Sequence, residues 1–339
     1  MNHMKKKLIN FSDKIFIAGG SGLVGSSLKK LFIKRGYGRV EKGGEILSPN
    51  RKELDLADSY KVDNWFKRNN PNVVVIAAAK VGGIYANSNY PFDFLIENLK
   101  IQNNIIESSW KNGVKRLLFL GSSCIYPKDS IQPIKEQSLL SNYLEKTNEA
   151  YAIAKIAGLK LCDFLRKQYK FDAFSLMPSN LYGPGDNYNL QNSHVLPALI
   201  HKFHEASINN HSEITCWGSG KPLREFLFVD DLADACIFAL ENWDFDKNLC
   251  QNDNKLSWIN IGSKEEISIS DLAEKIAKLT NYRGNINWDQ SKPDGTLRKK
   301  LDIKNASSLG WESKISLDEG LKITFQDFLE NYSTKKLKK

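Results

Sequence analysis

A chain of 339 residues is too long for one small core and suggests one large domain or two lobes. Its 41% hydrophobic and 11% aromatic content are those of an ordinary soluble globular protein. The formal net charge of +9 would suit a nucleic-acid partner, but seven lysines (Lys5, Lys6, Lys7, Lys335, Lys336, Lys338 and Lys339) lie in ends without an acidic residue and leave only +2 for the body. Residues 1–12 and 331–339 are therefore read as solvated, frayed tails rather than a grip on an anionic surface, and no nucleic acid is expected.

Lys14–Ala18 is a short apolar, β-branched run, as a buried parallel strand requires. Gly19-Gly20-Ser21-Gly22-Leu23-Val24-Gly25 follows, and then a helical pattern over Ser26–Lys34. Glycines three apart let the chain turn tightly, let the backbone approach a pyrophosphate and let the helix pack close to the strand. The helix N-terminus adds N–H groups and a positive dipole end. Strand before and helix after predict a dinucleotide loop, with Gly19, Ser21, Gly22, Leu23, Val24 and Gly25 against the cofactor. A second strand is predicted over Glu45–Ser48. Its end, Ser48-Pro49-Asn50-Arg51, lacks the acid that usually grips the ribose 2′-hydroxyl of NAD, and its guanidinium favours the 2′-phosphate of NADP. Asp55-Leu56 opens the next turn, where the carboxylate either reaches the adenine or caps a helix.

Pro71–Ala79 reads as a third strand, and Lys80-Val81-Gly82-Gly83 after it lets a cofactor pass close to backbone. Phe92–Asn112 is helical, and Arg116–Gly121 is a strand closed by Ser122-Ser123-Cys124-Ile125-Tyr126-Pro127. This alternation predicts an α/β fold, a Rossmann-type doubly wound parallel sheet that binds ligands at the carboxyl ends of its strands. Tyr151 and Lys155 follow on a helix, four apart and so on one face. The lysine is expected to lower the phenol pKa. A phenol so tuned passes a proton to a carbonyl oxygen while a hydride reaches the carbon. The same spacing at Tyr332 and Lys336, in a charged tail, has nothing around it and is read as chance.

Ala173–Met177 is the next strand, ending in Pro178-Ser179-Asn180-Leu181-Tyr182-Gly183-Pro184. Residues 184–225 are loop-rich and polar, apart from a helix over His194–Ser207. His201 and His204 on that helix have no third ligand nearby, so no metal is expected. Arg224–Asp231 reads as a strand and a helix start, Ser257–Gly262 as a strand and Ser270–Thr280 as a helix. Five cysteines, Cys124, Cys162, Cys216, Cys236 and Cys250, form no Cys-x-x-Cys pair and suit a reducing cytoplasm. The longest apolar run, Val73–Ala79, is far short of a membrane span, and Asp13 and Lys14 interrupt the N-terminal run before it makes a signal peptide.

Gly19-x-x-Gly22-x-x-Gly25, Ser122 and Tyr151-x-x-x-Lys155 stand in the order that resembles the extended short-chain dehydrogenase/reductase superfamily. Further runs resemble the GDP-4-keto-6-deoxy-D-mannose 3,5-epimerase/4-reductases over about residues 14 to 328: Lys80–Ile84, Gly121–Pro127, Pro178–Pro184, Asn192–Val195, Trp217–Gly220 and Arg224–Phe226. The resemblance implies NADPH as cofactor, held also by Pro178, Asn180, Leu181, Lys155 and His194. It implies Cys124 as base and His194 as acid on opposite sides of a 4-keto sugar, with Ser122 and Tyr151 on its C4 oxygen. A nearby positive charge makes a thiol a useful base, and Lys155 is the candidate source. Ser123, Asn180, Lys202, Trp217, Arg224 and Lys292 are the implied substrate contacts, with Trp217 bordering the guanine and Arg224 on the diphosphate. One departure is Ser21, which stands where some members place an arginine for the 2′-phosphate.

The expected division is a dinucleotide domain over 13–178 plus about 225–260, and a nucleotide-sugar lobe over 179–224 and about 261–330. The helices at 92–112 and 147–169 resemble those that pair in homodimers of the family. Cys124 also admits a plainer reading as a small buried core residue. The competing functions are an epimerase/reductase or a reductase acting on another GDP-4-keto sugar such as a 6-deoxyheptose, a UDP-sugar 4-epimerase and a dinucleotide-sensing module without catalysis.

Overall fold

The computed structural model describes residues 7–190, 192–244 and 256–333, so Cys250 and most of the two lysine-rich ends lie outside the described residues. In chain order, β1 (Lys14–Ala18), α1 (Leu23–Lys34), β2 (Glu45–Leu47), α2 (Ser59–Asn69) and β3 (Val73–Ile76) come first. They lead to α3 (Ile84–Asn89), α4 (Pro91–Lys111), β4 (Arg116–Leu120), α5 (Glu149–Tyr169), β5 (Ala173–Pro178) and β6 (Asn180–Tyr182). Next are α6 (Val195–Ile208), β7 (Glu213–Trp217), β8 (Leu223–Arg224), β9 (Phe226–Phe228), α7 (Val229–Asn242) and β10 (Trp258–Ile261). The last are β11 (Ile267–Ser268), α8 (Ile269–Leu279), β12 (Asn285–Asp289), β13 (Arg298–Lys299), α9 (Lys304–Leu309) and α10 (Leu317–Ser333).

Six strands form one sheet in the order β10-β5-β4-β3-β1-β2, with every pairing parallel. This is the doubly wound sheet that the alternating pattern predicts. The period-2 geometry of a strand divides its side chains between two apolar layers. Ile15, Ile17, Val73, Val75 and Leu118 join Leu28 and Phe32 of α1 and Leu232 and Ile237 of α7. Phe16, Val74, Ile76, Leu117 and Phe119 join Phe66 of α2, Ile105 of α4 and Leu159 of α5 on the other face. Burial on both faces explains why these strands are continuous apolar runs. Among the described residues no helix is long and apolar enough to cross a membrane.

A third apolar layer gathers Tyr182, Tyr188, Phe203, Cys216, Phe226, Ile276, Leu321 and Phe328 from segments far apart in sequence. Here β7 pairs with β12 in parallel, and β8 lies between β11 and β13. The loop-rich reading of 184–225 misses β7, whose alternation of buried and exposed residues over Glu213–Trp217 is that of a half-buried strand. The frayed-tail reading also needs correction. From Lys7 onward the chain is docked, with its ammonium 2.7 Å from Glu241 and Ile9 only 1% exposed. At the other end α10 runs to Ser333, and Tyr332 packs on His204. His201 uses both ring nitrogens within the protein, 2.7 Å from the Tyr188 carbonyl and 3.1 Å from Glu205.

Glu225 ties together three segments far apart in sequence. It is fully buried, with one carboxylate oxygen accepting from Lys264 N at 3.0 Å and the other from Leu301 N at 3.0 Å. Burial raises its pKa, and the backbone N–H groups of Leu301, Lys264 and Ser263 pull it back. Glu225→Ala strands buried donors, each costing roughly 1–3 kcal/mol, so a loss of about 2–4 kcal/mol is expected in urea unfolding. An unchanged midpoint would show that these bonds do not hold the junction.

Candidate active site

The glycine turn sits between the ends of β1, β2 and β3. A Cβ at Gly19, where φ is +84°, would stand 2.7 Å from the Ala78 Cα, and one at Gly20 would overlap the Ser48 hydroxyl at 1.7 Å. One at Gly25 would meet the Gly19 carbonyl oxygen at 2.2 Å, which is the close helix–strand approach that the spacing predicts. Helix α1 begins at Gly22 with no side-chain cap and no acidic residue in its first turn. Its leading N–H groups, those of Leu23 and Val24 among them, are thus open to an anion from outside the chain. After β2 Arg51 is exposed, and Ser21 in the glycine turn is exposed as well. Asp55 holds Ala57 N at 3.1 Å, while Asp58 caps α2 through Lys61 N, so Asp55 is not that helix's cap. These features fit a dinucleotide whose pyrophosphate lies over α1 and whose adenosine end lies by β2.

At the end of β4 the chain leaves the sheet through Ser122, whose hydroxyl oxygen accepts from Cys124 N at 3.3 Å and starts a short 3-10 turn over Ser123–Ile125. Helix α5 brings Tyr151 to the same strand end. Burial raises the Tyr151 pKa, Cys124 adds to the rise, and a hydrogen bond with Ser122 partly offsets it. One turn on, the buried Lys155 Nζ donates to Leu120 O at 2.8 Å and lies 4.8 Å from the Phe119 ring centroid and 5.8 Å from that of Tyr151. Burial pushes its ammonium down to about 7, so both protonation states are populated near neutral pH. The structure therefore corrects the simple lysine-lowers-tyrosine expectation: both groups are desolvated, and burial sets the direction of both shifts.

The Cys124 thiol is not a core residue; it is partly exposed beside these groups. Asn148 Nδ2 donates to its Sγ at 3.1 Å, and Lys299 Nζ approaches at 3.6 Å. Arg224 is close enough for a favourable electrostatic interaction with it. The expected cation, Lys155, is instead committed to Leu120 O. Asn148 and Lys299 were absent from the sequence reading. Asn148 lies three residues before Tyr151, a spacing that puts both at one end of one helix face. Lys299 is one of three consecutive basic residues, and only the strand pairing Lys299↔Arg224 singles it out.

His194 stands at the start of α6 with its side chain exposed, and the protein crowded around it partly desolvates the ring and lowers its pKa. Its segment meets the Lys80–Gly83 loop, where Gly83 N donates to Asn192 O at 3.2 Å. From that loop α3 reaches the Asn148 segment, with Ser88 Oγ 3.5 Å from Thr147 O. Trp217 is 57% exposed and carries the Lys292 ammonium 5.6 Å from its ring centroid. Asp294 bonds Ser219 N and Oγ, both at 2.7 Å, and its own carbonyl accepts from Arg224 at 3.3 Å. Trp217, Lys292 and Arg224 thus share one loop system. Lys202 donates to the carbonyl of Thr215, two residues before Trp217 on β7. Asn180 Nδ2 donates to Glu225 O at 2.9 Å, Pro178 ends β5, Leu181 packs on the core, and Ser123 is buried.

A parallel Rossmann sheet with an uncapped glycine turn and a serine, a tyrosine and a lysine at one strand end defines a nucleotide-dependent oxidoreductase or epimerase. The model of the NAD dependent epimerase/dehydratase family matches residues 15–251. GDP-L-fucose synthase 1 of Arabidopsis thaliana is 49% identical over 94% of this chain and 94% of its own length. GDP-L-fucose synthase of Escherichia coli (strain K12) is 48% identical over 94% of this chain and 97% of its own. A GDP-L-fucose synthetase from Naegleria fowleri, solved bound to NADP, superposes with a TM-score of 0.83 at 29% identity, covering 98% of this chain and 99% of that one. The chain belongs to the NAD dependent epimerase/dehydratase family and, within it, to the GDP-L-fucose synthases.

Proposed function

We propose that this enzyme converts GDP-4-keto-6-deoxy-D-mannose to GDP-L-fucose by epimerisation at C3 and C5, followed by NADPH-dependent reduction of the C4 carbonyl. The observation that carries the reading is the partly exposed Cys124 thiol at the same strand end as Ser122 and Tyr151. A reductase alone needs no second proton-transfer group there.

The 4-keto group acidifies the protons on both neighbouring carbons. Cys124 takes such a proton: the C–H bond breaks, an S–H bond forms, and the electron pair moves onto the C4 oxygen as an enolate. Ser122 and Tyr151 hydrogen-bond that oxygen and stabilise its charge. His194 returns a proton to the opposite ring face. When bound, NADPH supplies the hydride that reduces C4. Tyr151 gives its phenolic proton to the same oxygen, and Lys155 steadies the charge left behind. Gly19, Ser21, Gly22, Leu23, Val24 and Gly25 hold the cofactor's pyrophosphate, Arg51 its 2′-phosphate, and Asp55 and Leu56 border its adenosine end. Arg224 and Lys292 bind the diphosphate and Trp217 borders the guanine, while Ser123, Asn180 and Lys202 complete the substrate contacts. Residues 13–178 and about 225–260 serve the cofactor; 179–224 and about 261–330 serve the nucleotide sugar.

A homodimer is the expected assembly, formed by α4 and α5. These two 21-residue helices leave Phe92, Ile153 and Phe164 at 72%, 44% and 56% exposure, an apolar surface that a second copy would cover. A free thiol at the site suits a reducing, cytoplasmic setting.

The test is turnover of GDP-4-keto-6-deoxymannose with NADPH in deuterated water, with the product read by NMR. GDP-fucose with deuterium at C3 and C5 is expected, and Cys124→Ser is expected to take up label at least ~100-fold more slowly with NADPH binding unchanged. Reduced sugar without deuterium would leave a reductase and remove Cys124 and His194 from the chemistry. No turnover with NADPH still bound would point to another GDP-4-keto sugar.

A further inference from the structure

Lys299 occupies an unusual position for a lysine. Among the described residues it has no carboxylate within ion-pair distance, and its ammonium's one hydrogen-bond partner is the Cys124 sulfur, 3.6 Å away. It is also held firmly. Strand β13 is only two residues long, and it pairs with β8 in a register that sets Lys299 beside Arg224. Arg298, the preceding residue, forms a bidentate ion pair with Glu266 at 2.6 and 2.9 Å. On the other side Lys300 N donates to Gln132 Oε1 at 2.8 Å, and Leu301 N to the buried Glu225 at 3.0 Å. The backbone is thus fixed before and after the lysine, and the fold aims one half-buried ammonium at a thiol. Asn148 reaches the same sulfur as a donor at 3.1 Å, and its own Oδ1 is buried without a partner. Two donors converging on one sulfur suit an anionic acceptor better than a neutral S–H.

We propose that Lys299 is a positioning residue for the epimerisation: its ammonium holds Cys124 as the thiolate that accepts the ring proton, while Asn148 orients the sulfur. This rests on the reading of Cys124 as the base. The thiolate is charge-compensated before the sugar arrives. Each transfer turns S⁻ into S–H and leaves the enolate charge nearby, where Lys299 remains to balance it. The role is electrostatic and nearly independent of donor geometry, so an arginine should replace the lysine and a methionine of similar length should not.

The test measures alkylation of Cys124 by iodoacetamide as a function of pH in the full-length enzyme without substrate, following its peptide by mass spectrometry. Lys299→Met is expected to alkylate about ten-fold more slowly at pH 7 than the unaltered protein, with the profile displaced to higher pH by about one unit. Lys299→Arg should stay near the unaltered rate. Deuterium uptake at C3 and C5 should fall in Lys299→Met in proportion, while NADPH binding is unchanged. An alkylation profile in Lys299→Met that matches the unaltered enzyme, with only a raised KM for the GDP-sugar, would overturn the proposal and place Lys299 on the substrate's phosphates. If Cys124→Ser still washes deuterium into both carbons, the reading of Cys124 itself fails, whatever the alkylation shows.

Discussion

Tyr151→Phe is expected to lower the rate of C4 reduction by about 10²–10⁴-fold while leaving NADPH affinity within a factor of two. The substitution removes one oxygen and keeps the ring, so the packing of α5 on the sheet survives. What disappears is the proton that the C4 oxygen takes up and half of the Ser122–Tyr151 pair that would hold the enolate. Epimerisation should therefore slow as well, though less, because Ser122 remains. Single-turnover loss of NADPH absorbance gives the first number, and label uptake in deuterated water gives the second. An affinity loss of ten-fold or more for NADPH, with the single-turnover rate intact, would make Tyr151 a binding residue instead.

Gly25→Ala should weaken NADPH binding by at least ~100-fold, about 2.7 kcal/mol. Its new Cβ would lie 2.2 Å from the Gly19 carbonyl oxygen and 2.6 Å from the Gly20 Cα. Both are backbone atoms of the turn, so neither can swing aside as a side chain would. To relieve the overlap α1 must move away from β1, carrying its leading N–H groups from the pyrophosphate. Gly22 offers the contrast: a Cβ there meets the Gly19 oxygen at 3.3 Å, a tight contact that asks the turn to give by only a few tenths of an ångström. Fluorescence titration with NADPH, alongside circular dichroism, separates the two cases. Equal affinities for the Gly25→Ala and unaltered proteins would mean that the turn absorbs the overlap.

The sheet was legible because its strands are buried on both faces and so spell continuous apolar runs, as Val73–Ile76 does. The glycine turn and the Tyr151–Lys155 helix were legible because their spacing carries a geometric demand. The second lobe was harder. Strand β7 is five residues long, and its partner β12 lies about seventy positions downstream, so no local pattern announces the pair. The long helix α10 went unread altogether, and its packing on His204 and Tyr188 is purely tertiary. The same limit applies at the site. Cys124 and His194 sit in distinctive surroundings, whereas Lys299 is the middle of Arg298-Lys299-Lys300 and looks like any solvated basic run. Its role becomes visible only when β13 is laid beside β8. The direction of the Tyr151 shift was misread for a related reason: spacing shows which groups are neighbours, not how much water they have lost.

Glu225 has a further consequence. Its neighbour Arg224 belongs to β8, between β11 and β13, while its neighbour Phe226 belongs to β9, which pairs with β6 leading out of the main sheet. A residue clamped by its side chain therefore stands between these two sheets. On the proposed assignment the guanidinium for the phosphates is carried by the residue next to this clamp, so Glu225 fixes where one end of a nucleotide sugar can sit, like a pin that locates one jaw of a caliper.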